Sequence, residues 1–568
     1  MPPEQENRTF EIGLVMAGAV SAGAYTAGVI DFLLQALEEW QKAKDAGEGS
    51  APIHDVKIKV ISGASAGGMT GAIFTAMMNE EFSHITSLPG KEPTRDEINR
   101  NKLYKSWVDD IDIRDLLENS DLKERNSSVK SLLDSSVLDE IAESAVSFSP
   151  TQEWKPYISK PFHLYLTLTN LQGVPYDIQF QGNTGRGHSI SQHTDFLHFV
   201  LSQNNPELKE AEWLDPGNSN TKNWHLLKRT ALATGAFPGG LAPRQLQRNF
   251  DHYEFRSWPV PQRPKESDGA AECVRMVNIK PAWPADHTDR FNFLSVDGGV
   301  MDNEPMELAR RTLAGKQGFN PRKPESAERA VIMIDPFPSE KKTEMKSQEE
   351  LENYDIVSIF TELFGSLMSQ ARFKPDELML ANSDSIYSRY LVAPTRRNPD
   401  GTKANYPIAS GFLNGFGGFF SKKFRMHDFQ LGRRNCQQFL RNYLSIPVDK
   451  ARQNPVFADY TEADFERFSF QKDGTDIIPL IPLMGSAKEE VFPLGWNTLK
   501  LGSRELEELK SLISNRTKVV INRLIEQYVD DGFTRWLAKR IAGLKRGKIV
   551  DAIMEKINTD LEEFDLKS

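Results

Sequence analysis

A serine set among glycines and alanines, in VISGASAGGMTG at residues 60–71, constrains the fold of this chain more than any other stretch. An apolar, β-branched run leads into the serine, and a helical pattern follows it. A serine on such a sharp turn projects its hydroxyl out of the backbone, and its neighbours must be small because larger side chains do not fit. The small residues around Ser65 are Gly63, Ala64, Ala66 and Gly67. The pattern predicts a nucleophile elbow; a plain Gly/Ser-rich connection is the alternative.

A second strand–loop–helix unit precedes this one in the chain. Residues 11–40 contain an apolar run that ends at Met16, a loop of small residues, and apolar residues at helical spacing. Strands that alternate with helices favour a parallel sheet with both faces covered. The sequence therefore predicts an α/β fold with a mainly parallel central sheet, helices on both faces and a mostly helical C-terminal extension.

Two further segments supply what an acyl-transfer site needs beside a serine. The loop of the first unit consists of Gly18, Ala19, Val20, Ser21, Ala22 and Gly23. In a parallel sheet this loop emerges at the same edge as Ser65, where its amides can converge on a carbonyl oxygen. Asp297, followed by Gly298 and Gly299, ends the apolar run FNFLSV and offers a carboxylate as base. Simple helix entry and an ordinary Asp-Gly turn are the respective alternatives.

The order of these motifs resembles the patatin-like phospholipase family. That family carries a glycine-rich oxyanion loop of GGGxRG type, then GxSxG, then a DG-G/A motif whose aspartate completes a Ser–Asp dyad. Here GAVSAGAYTAGVI, GASAGG and DGG follow one another in the same order. Two other stretches, ATGAFPG and DGGVMDNEP, are similar to the family as well. The resemblance spans residues 8–340.

The resemblance implies a serine lipid acyl hydrolase that cleaves ester bonds of phospholipids or lysophospholipids. Ser65 would attack the ester carbonyl, amides around Gly18 to Val20 would hold the oxyanion, and Asp297 would take the proton and later activate water. Because an aspartate with the ordinary pKa of about 3.9 is a poor base near neutrality, apolar surroundings are expected to raise its pKa. This mechanism needs no metal and no cofactor.

The first loop departs from the family pattern at three positions. Ala19 and Val20 stand where glycines are usual, and Ala22 stands where an arginine is common. A β-branched residue such as Val20 is disfavoured at positive φ, so the loop geometry is expected to differ or the activity to be reduced. These departures keep open the alternative of a catalytically weak relative that binds lipid or protein. A general carboxylesterase or acyltransferase that uses the same dyad is a second alternative.

The histidines raise two other possibilities, a catalytic triad and a zinc site. His427 follows Asp297 in the chain, as the histidine of an α/β-hydrolase triad follows its acid, but its place beside Asp428 at a helix start favours a packing or capping role. His188, His193 and His198 match no standard zinc spacing, and their Gly/Ser/Asn-rich surroundings predict a surface loop. No metal site is predicted.

The chain is long enough, at 568 residues, for several packed units. We expect a catalytic domain with insertions over residues 8–340, a mixed but mostly helical extension packing on it over residues 341–500, and C-terminal helices over residues 501–568. Within the extension, GFLNGFGGFF at residues 411–420 is expected to be buried; contact with lipid or with an acyl channel is the alternative.

Charge and hydropathy indicate the setting in which the chain works. A net charge of -10 argues against a nucleic-acid partner. Cys273 and Cys436 suggest no disulfide framework, which fits a reducing compartment. The first residues show no signal-peptide pattern, and no apolar run is expected to span a membrane, which takes about 18 residues. The expected location is cytoplasmic, with peripheral membrane contact, and the expected partner is a lipid or other acyl-ester substrate.

Overall fold

The computed structural model describes residues 8–47, 49, 51–86, 92–124, 127–151, 153–178, 188–261, 274–284, 290–338, 347–348, 352, 355–372, 386–529 and 532–568. Its strands are β1 (Thr9–Met16), β2 (Asp55–Gly63), β3 (Ile158–Ile178), β4 (His188–Leu201), β5 (Glu212–Leu214), β6 (Arg244–Asn249), β7 (Ser257–Pro261), β8 (Val274–Asn278), β9 (Arg290–Asp297), β10 (Arg329–Ile334), β11 (Arg389–Val392), β12 (Ser445–Pro447), β13 (Phe470–Lys472) and β14 (Thr475–Pro479).

The main sheet has the strand order β11-β10-β1-β2-β3-β4-β5, and β9 pairs with both β3 and β6. The neighbours from β11 to β3 run parallel. Strand β4 runs antiparallel to β3, and β9 is antiparallel to β3 and β6. The mainly parallel α/β architecture predicted from the sequence is confirmed.

Strand β4 corrects one expectation. The stretch with His188, His193 and His198 was expected to be a surface loop, but it pairs along β3. Its first half is polar and exposed, which hides the strand pattern, whereas Leu197, Phe199 and other residues of its second half are buried. The composition of this stretch therefore gave the wrong prediction, because the exposed end of a strand carries the polar residues that are also typical of loops.

The longer helices are α1 (Gly23–Asp45), α2 (Ser65–Met77), α3 (Ser136–Val146), α4 (Lys222–Thr234), α5 (Met306–Ala314), α6 (Ile356–Arg372), α7 (Lys422–Asn442), α8 (Glu462–Phe468), α9 (Ser503–Tyr528) and α10 (Gly532–Glu563). Shorter helical turns occur at Arg95–Asn99, Lys102–Tyr104, Lys105–Asp109, Ile113–Leu116, Asp251–Glu254 and Val448–Ala451. Because β1 and β2 lead directly into α1 and α2, the loops that carry the predicted motifs lie at one edge of the sheet.

Alternating residues of the central strands pack on opposite faces of the sheet. Leu14 and Ile332 belong to a large core that also contains residues of α1 and α2. Val15 and Val331 belong to a separate cluster with Ala309 and other residues of α5. This alternation follows from the two-residue period of a strand, and it places helices on both faces.

Helix α1 has the length and composition of a membrane span, contrary to the expectation from the sequence. However, the apolar window within Val20–Asp45 is 94% buried inside the protein. Because protein covers this window on nearly all sides, α1 is a core helix.

The C-terminal extension packs directly on the N-terminal half of the chain through α7. Helix α7 crosses α1 where Gly28 lies against Phe429 and Gly432 lies against Tyr25; a Cβ at either glycine would fall about 2 Å from a carbonyl oxygen, at 1.9 and 2.1 Å. Such an approach brings the two helix backbones into contact. The position of α7 is therefore coupled to α1, the helix that follows the small-residue loop. The domain boundaries at residues 340 and 500 stay predictions.

Candidate active site

Ser65 lies at the turn between β2 and α2, as the sequence predicts. Its φ is +49°, whereas the preceding Ala64 is extended. Gly67 faces β1 so closely that a Cβ there would lie 2.1 Å from the carbonyl oxygen of Met16. The small residues of the elbow are therefore a steric requirement of this turn.

The hydroxyl of Ser65 donates a hydrogen bond of 2.6 Å to Oδ2 of Asp297. The chain separates these residues by 232 positions, and the sheet brings them together because β9 ends beside β3. The other carboxylate oxygen, Oδ1, accepts from the amide of Gly299 at 2.7 Å. One oxygen thus fixes the carboxylate while the other faces the serine.

The main chain of Asp297 is also held on both sides. Its amide donates to the carbonyl of Ala236 at 2.9 Å, and its carbonyl accepts from the Thr169 hydroxyl at 2.8 Å. Asp297 is buried, with 4% of its surface exposed. Burial raises the pKa of Asp297 to about 7, while the hydrogen bonds from Ser65 and Gly299 act in the opposite direction. A carboxyl group with that pKa can exchange protons near neutrality.

The small-residue loop contains backbone amides without a hydrogen-bond partner among the described residues. The amide of Gly18 donates to the carbonyl of Asn303 at 3.3 Å, and that of Ala22 donates to Ala19 at 2.9 Å. Within the part of the chain that the structure describes, the N–H groups of Ala19 and Val20 have no hydrogen-bond partner. Of the amides expected from Gly18 to Val20, these two are the available donors for an oxyanion.

Val20 adopts φ +48°, the left-handed conformation that its β-branched side chain disfavours. Such a conformation destabilises a non-glycine residue by about 1–3 kcal/mol. The loop therefore takes the backbone shape that glycine would supply in the family pattern, but it does so with a valine. Contacts from elsewhere must offset that strain.

Three residues make contacts in the site that the sequence did not predict. Thr234 accepts a hydrogen bond from the amide of Ser65 through Oγ1 at 2.9 Å. Asn303 lies between the two glycine turns: a Cβ on Gly18 or on Gly299 would fall 2.3 or 2.5 Å from its Oδ1. Ser21 bonds to the C-terminal extension. Thr234 and Asn303 belong to the stretches ATGAFPG and DGGVMDNEP, where a signal was available.

An apolar cavity that is partly open to solvent begins at Ser65. Its walls come mainly from α2, α3 and α4, and Val20 and Phe419 contribute from the loop and the extension. Apart from Ser65 and Ser106, its lining is made of glycine and apolar side chains. A cavity of this chemistry accommodates a hydrocarbon chain.

The histidines lie in other surroundings. His427 is fully buried; its Nδ1 lies 2.8 Å from Asp428, and its ring packs edge-on against Trp496. Nε2 of His198 lies 2.9 Å from Nδ1 of His163, and Nδ1 of His193 lies 2.7 Å from the carbonyl of Asn170. The described residues contain no group of His, Cys, Asp or Glu side chains arranged to hold a metal ion.

Comparison with known proteins matches residues 14–310 to the family of patatin-like phospholipases. An uncharacterized protein y4iI of Sinorhizobium fredii (strain NBRC 101917 / NGR234) is 34% identical over 590 residues, which cover 96% of this chain and 80% of that protein. Among solved structures, VipD from Legionella pneumophila covers 98% of this chain and 86% of its own, at 11% identity and a TM-score of 0.22. So low a score carries no conclusion about fold or activity.

Proposed function

This chain belongs to the patatin-like phospholipase family, and on that premise we propose that it is a serine lipid acyl hydrolase acting on phospholipids or lysophospholipids. The observation that carries the proposal is the 2.6 Å hydrogen bond from Ser65 to Asp297 at the end of an apolar cavity. A nucleophile, a base and a place for an acyl chain then meet at one point.

In the first half of the reaction, Oγ of Ser65 attacks the ester carbonyl and passes its proton to Oδ2 of Asp297. The carbonyl oxygen becomes negative and is stabilised by the amides of Ala19 and Val20. Collapse of this intermediate breaks the ester bond, and the leaving alcohol takes the proton from Asp297. The acyl group is then bound to Ser65, with its chain in the cavity.

In the second half, Asp297 removes a proton from water, which attacks the acyl-enzyme. The same two amides stabilise the second oxyanion, and Ser65 regains its proton as the fatty acid leaves. The hydrogen bond from Gly299 to Oδ1 supports this assignment, because it keeps Oδ2 facing the reacting atoms through both halves.

The proposal includes a cytoplasmic location with peripheral contact to a membrane. Helix α6 supports that contact: Ile356, Ile359, Leu363 and Leu367 are 69%, 52%, 52% and 61% exposed. The helix lies beside residues 298–300, which directly follow Asp297. Exposed apolar side chains next to a lipid-processing site are suited to contact with a lipid surface.

The first experiment measures hydrolysis of short esters, phospholipids and lysophospholipids by the wild type, with release of fatty acid as the readout. Labelling of Ser65 by a fluorophosphonate is measured beside it. Ser65→Ala and Asp297→Asn are expected to lose at least about 1,000-fold in kcat, as removal of a nucleophile or base does. His427→Gln tests the triad alternative: because this histidine lies outside the cavity lining, the variant should keep most of the activity.

The outcomes distinguish the competing functions. Turnover of short esters with no preference for lipids would favour a general carboxylesterase, and transfer of the acyl group to an added alcohol would favour an acyltransferase. A folded wild type with neither turnover nor serine labelling would overturn the proposal. Binding of lipid vesicles by such a protein would indicate the weak relative, for which the strained Val20 is the structural argument.

A further inference from the structure

The hydroxyl of Ser21 is hydrogen-bonded by the C-terminal extension. The amide of Gly418 donates to Oγ of Ser21 at 2.8 Å, and the hydroxyl of Ser21 donates in turn to the carbonyl of Gly415. Ser21 is fully buried, so these two bonds satisfy a group that water does not reach. Both partners lie beyond residue 310, where the family match ends.

The segment that supplies these bonds, residues 409–420, fits the loop closely; we call it the Phe/Gly segment. A Cβ on Gly418 would fall 2.6 Å from Oγ of Ser21 and 2.6 Å from Oγ of Ser410. Gly415 adopts φ +92°, and a Cβ there would lie 3.4 Å from the carbonyl of Ala19. These glycines allow the segment to approach the small-residue loop.

Helix α7 holds the Phe/Gly segment at both ends. Arg425 donates from Nη1 to the carbonyl of Gly418 at 2.8 Å. The carboxylate of Asp428 accepts from the amides of Ala409 and Ser410, each at 2.8 Å. Both side chains are buried, with 1% and 0% of their surface exposed. The contact with Ser21 is thus made by a fixed support, because α7 itself packs on α1.

The same contact reaches the backbone that the reaction uses. Ser21 directly follows Val20, whose left-handed conformation is strained, and the unpartnered amides belong to Val20 and Ala19. Without its anchor, the loop would relax toward conformations that suit valine and would turn these amides away from the oxyanion. Phe419 of the segment also lines the cavity.

We propose that Ser21 is a positioning residue for the oxyanion amides, and that the Phe/Gly segment is thereby part of the active site. The proposal rests on the function proposed above and adds a role for the extension that family membership does not give. Ser21 contacts no substrate; it acts through the backbone of Val20.

The test combines Ser21→Ala with Val20→Gly, singly and together. Ser21→Ala should lower kcat for ester hydrolysis by about 10- to 100-fold and slow fluorophosphonate labelling, with a smaller change in KM, because loss of one oxyanion donor has effects of about 100-fold or more. In the Val20→Gly background the same serine change should lower kcat less, since glycine adopts this conformation without strain.

Two further readouts keep the inference distinct from the function. Ser131→Ala removes another buried hydroxyl, which donates to the carbonyl of Leu133 at 2.7 Å, and serves as the matched control with unchanged kcat. Hydrogen exchange of the peptide around residues 17–23 should accelerate in Ser21→Ala whether or not the wild type turns over. Unchanged exchange, an unchanged kcat, or an equal loss in both backgrounds would overturn the inference. An inactive wild type with faster exchange in Ser21→Ala would overturn the proposed function and with it the catalytic role of Ser21, whereas the anchoring of the loop by Ser21 would stand.

Discussion

The carboxylate of Asp297 accepts a hydrogen bond of 2.6 Å from Ser65 while it is almost fully buried. In a buried position, a carboxyl group favours its neutral form, since no water solvates the charge. Hydrogen bonds from Ser65 and Gly299 compensate only in part, so burial still raises the pKa of Asp297 to about 7. The pair therefore combines a nucleophile with a base that is poised for neutral pH.

The activity should depend on pH through this group. Because Asp297 must be ionised to take the serine proton, kcat/KM should be constant above pH 7 and fall about tenfold per pH unit below it. The measurement is a pH profile of kcat/KM on a soluble ester, with folding checked at each pH. An acidic limb near pH 4 would show that the pKa of Asp297 keeps its ordinary value, contrary to this expectation.

The stability of the fold should also depend on pH through Asp297, but in the opposite direction: it should decrease as pH rises. The folded pKa of about 7 lies above the unfolded value of about 3.8, so the native state binds more protons between pH 4 and 7. The free energy of unfolding contributed by Asp297 therefore falls as pH rises through that range, by up to about 4 kcal/mol. Asp297→Asn should remove this dependence.

Chemical denaturation at pH 5 and pH 8 checks that prediction. The unfolding free energy of Asp297→Asn, relative to that of the wild type, should be higher at pH 8 than at pH 5. Ser65→Ala retains the carboxyl group but loses a hydrogen bond that lowers the pKa of Asp297, so it should keep the pH dependence and make it somewhat larger. The prediction is wrong if the two variants respond to pH alike.

Much of the fold and of the central pair could be predicted from sequence because local pattern determines them. The elbow around Ser65 needs small residues, and the resemblance of the motif order to the patatin-like family implies Asp297 as its partner. The parallel sheet follows from alternating strands and helices. These features depend on short stretches whose physical demands are visible in the residues themselves.

Other features depend on contacts between distant parts of the chain. Nothing local in Ser21 indicates that Gly415 and Gly418 complete its hydrogen bonds, since almost 400 positions separate them, with spacings of 394 and 397. The strand β4 was missed because its exposed half is polar. The strain at Val20 was anticipated from its side chain, but the support that the loop receives from the extension was not.

The close approach of Gly67 to β1 gives a steric prediction. Gly67→Ala would place Cβ 2.1 Å from the carbonyl oxygen of Met16, so α2 or β1 must shift. We expect a loss of about 2–4 kcal/mol in unfolding free energy and loss of serine labelling. Gly543→Ala in α10 meets nothing within 4 Å and should stabilise the protein by about 0.5–1 kcal/mol. Thermal unfolding of both variants measures these changes. Equal unfolding temperatures for Gly67→Ala and Gly543→Ala would contradict the steric explanation.

The cavity gives a prediction about chain length. Ala145 lines it from α3 with 3% of its surface exposed, so Ala145→Trp should fill space that a long acyl chain would occupy. The preference among esters of increasing chain length should shift toward short chains, by about tenfold in relative kcat/KM, because an excluded segment of chain loses roughly 0.8 kcal/mol per methylene. The neighbouring Ser144 is exposed on the same helix, and Ser144→Trp is the matched control. If both tryptophan variants keep the wild-type preference, the acyl chain does not bind along α3 and must leave Ser65 by another route.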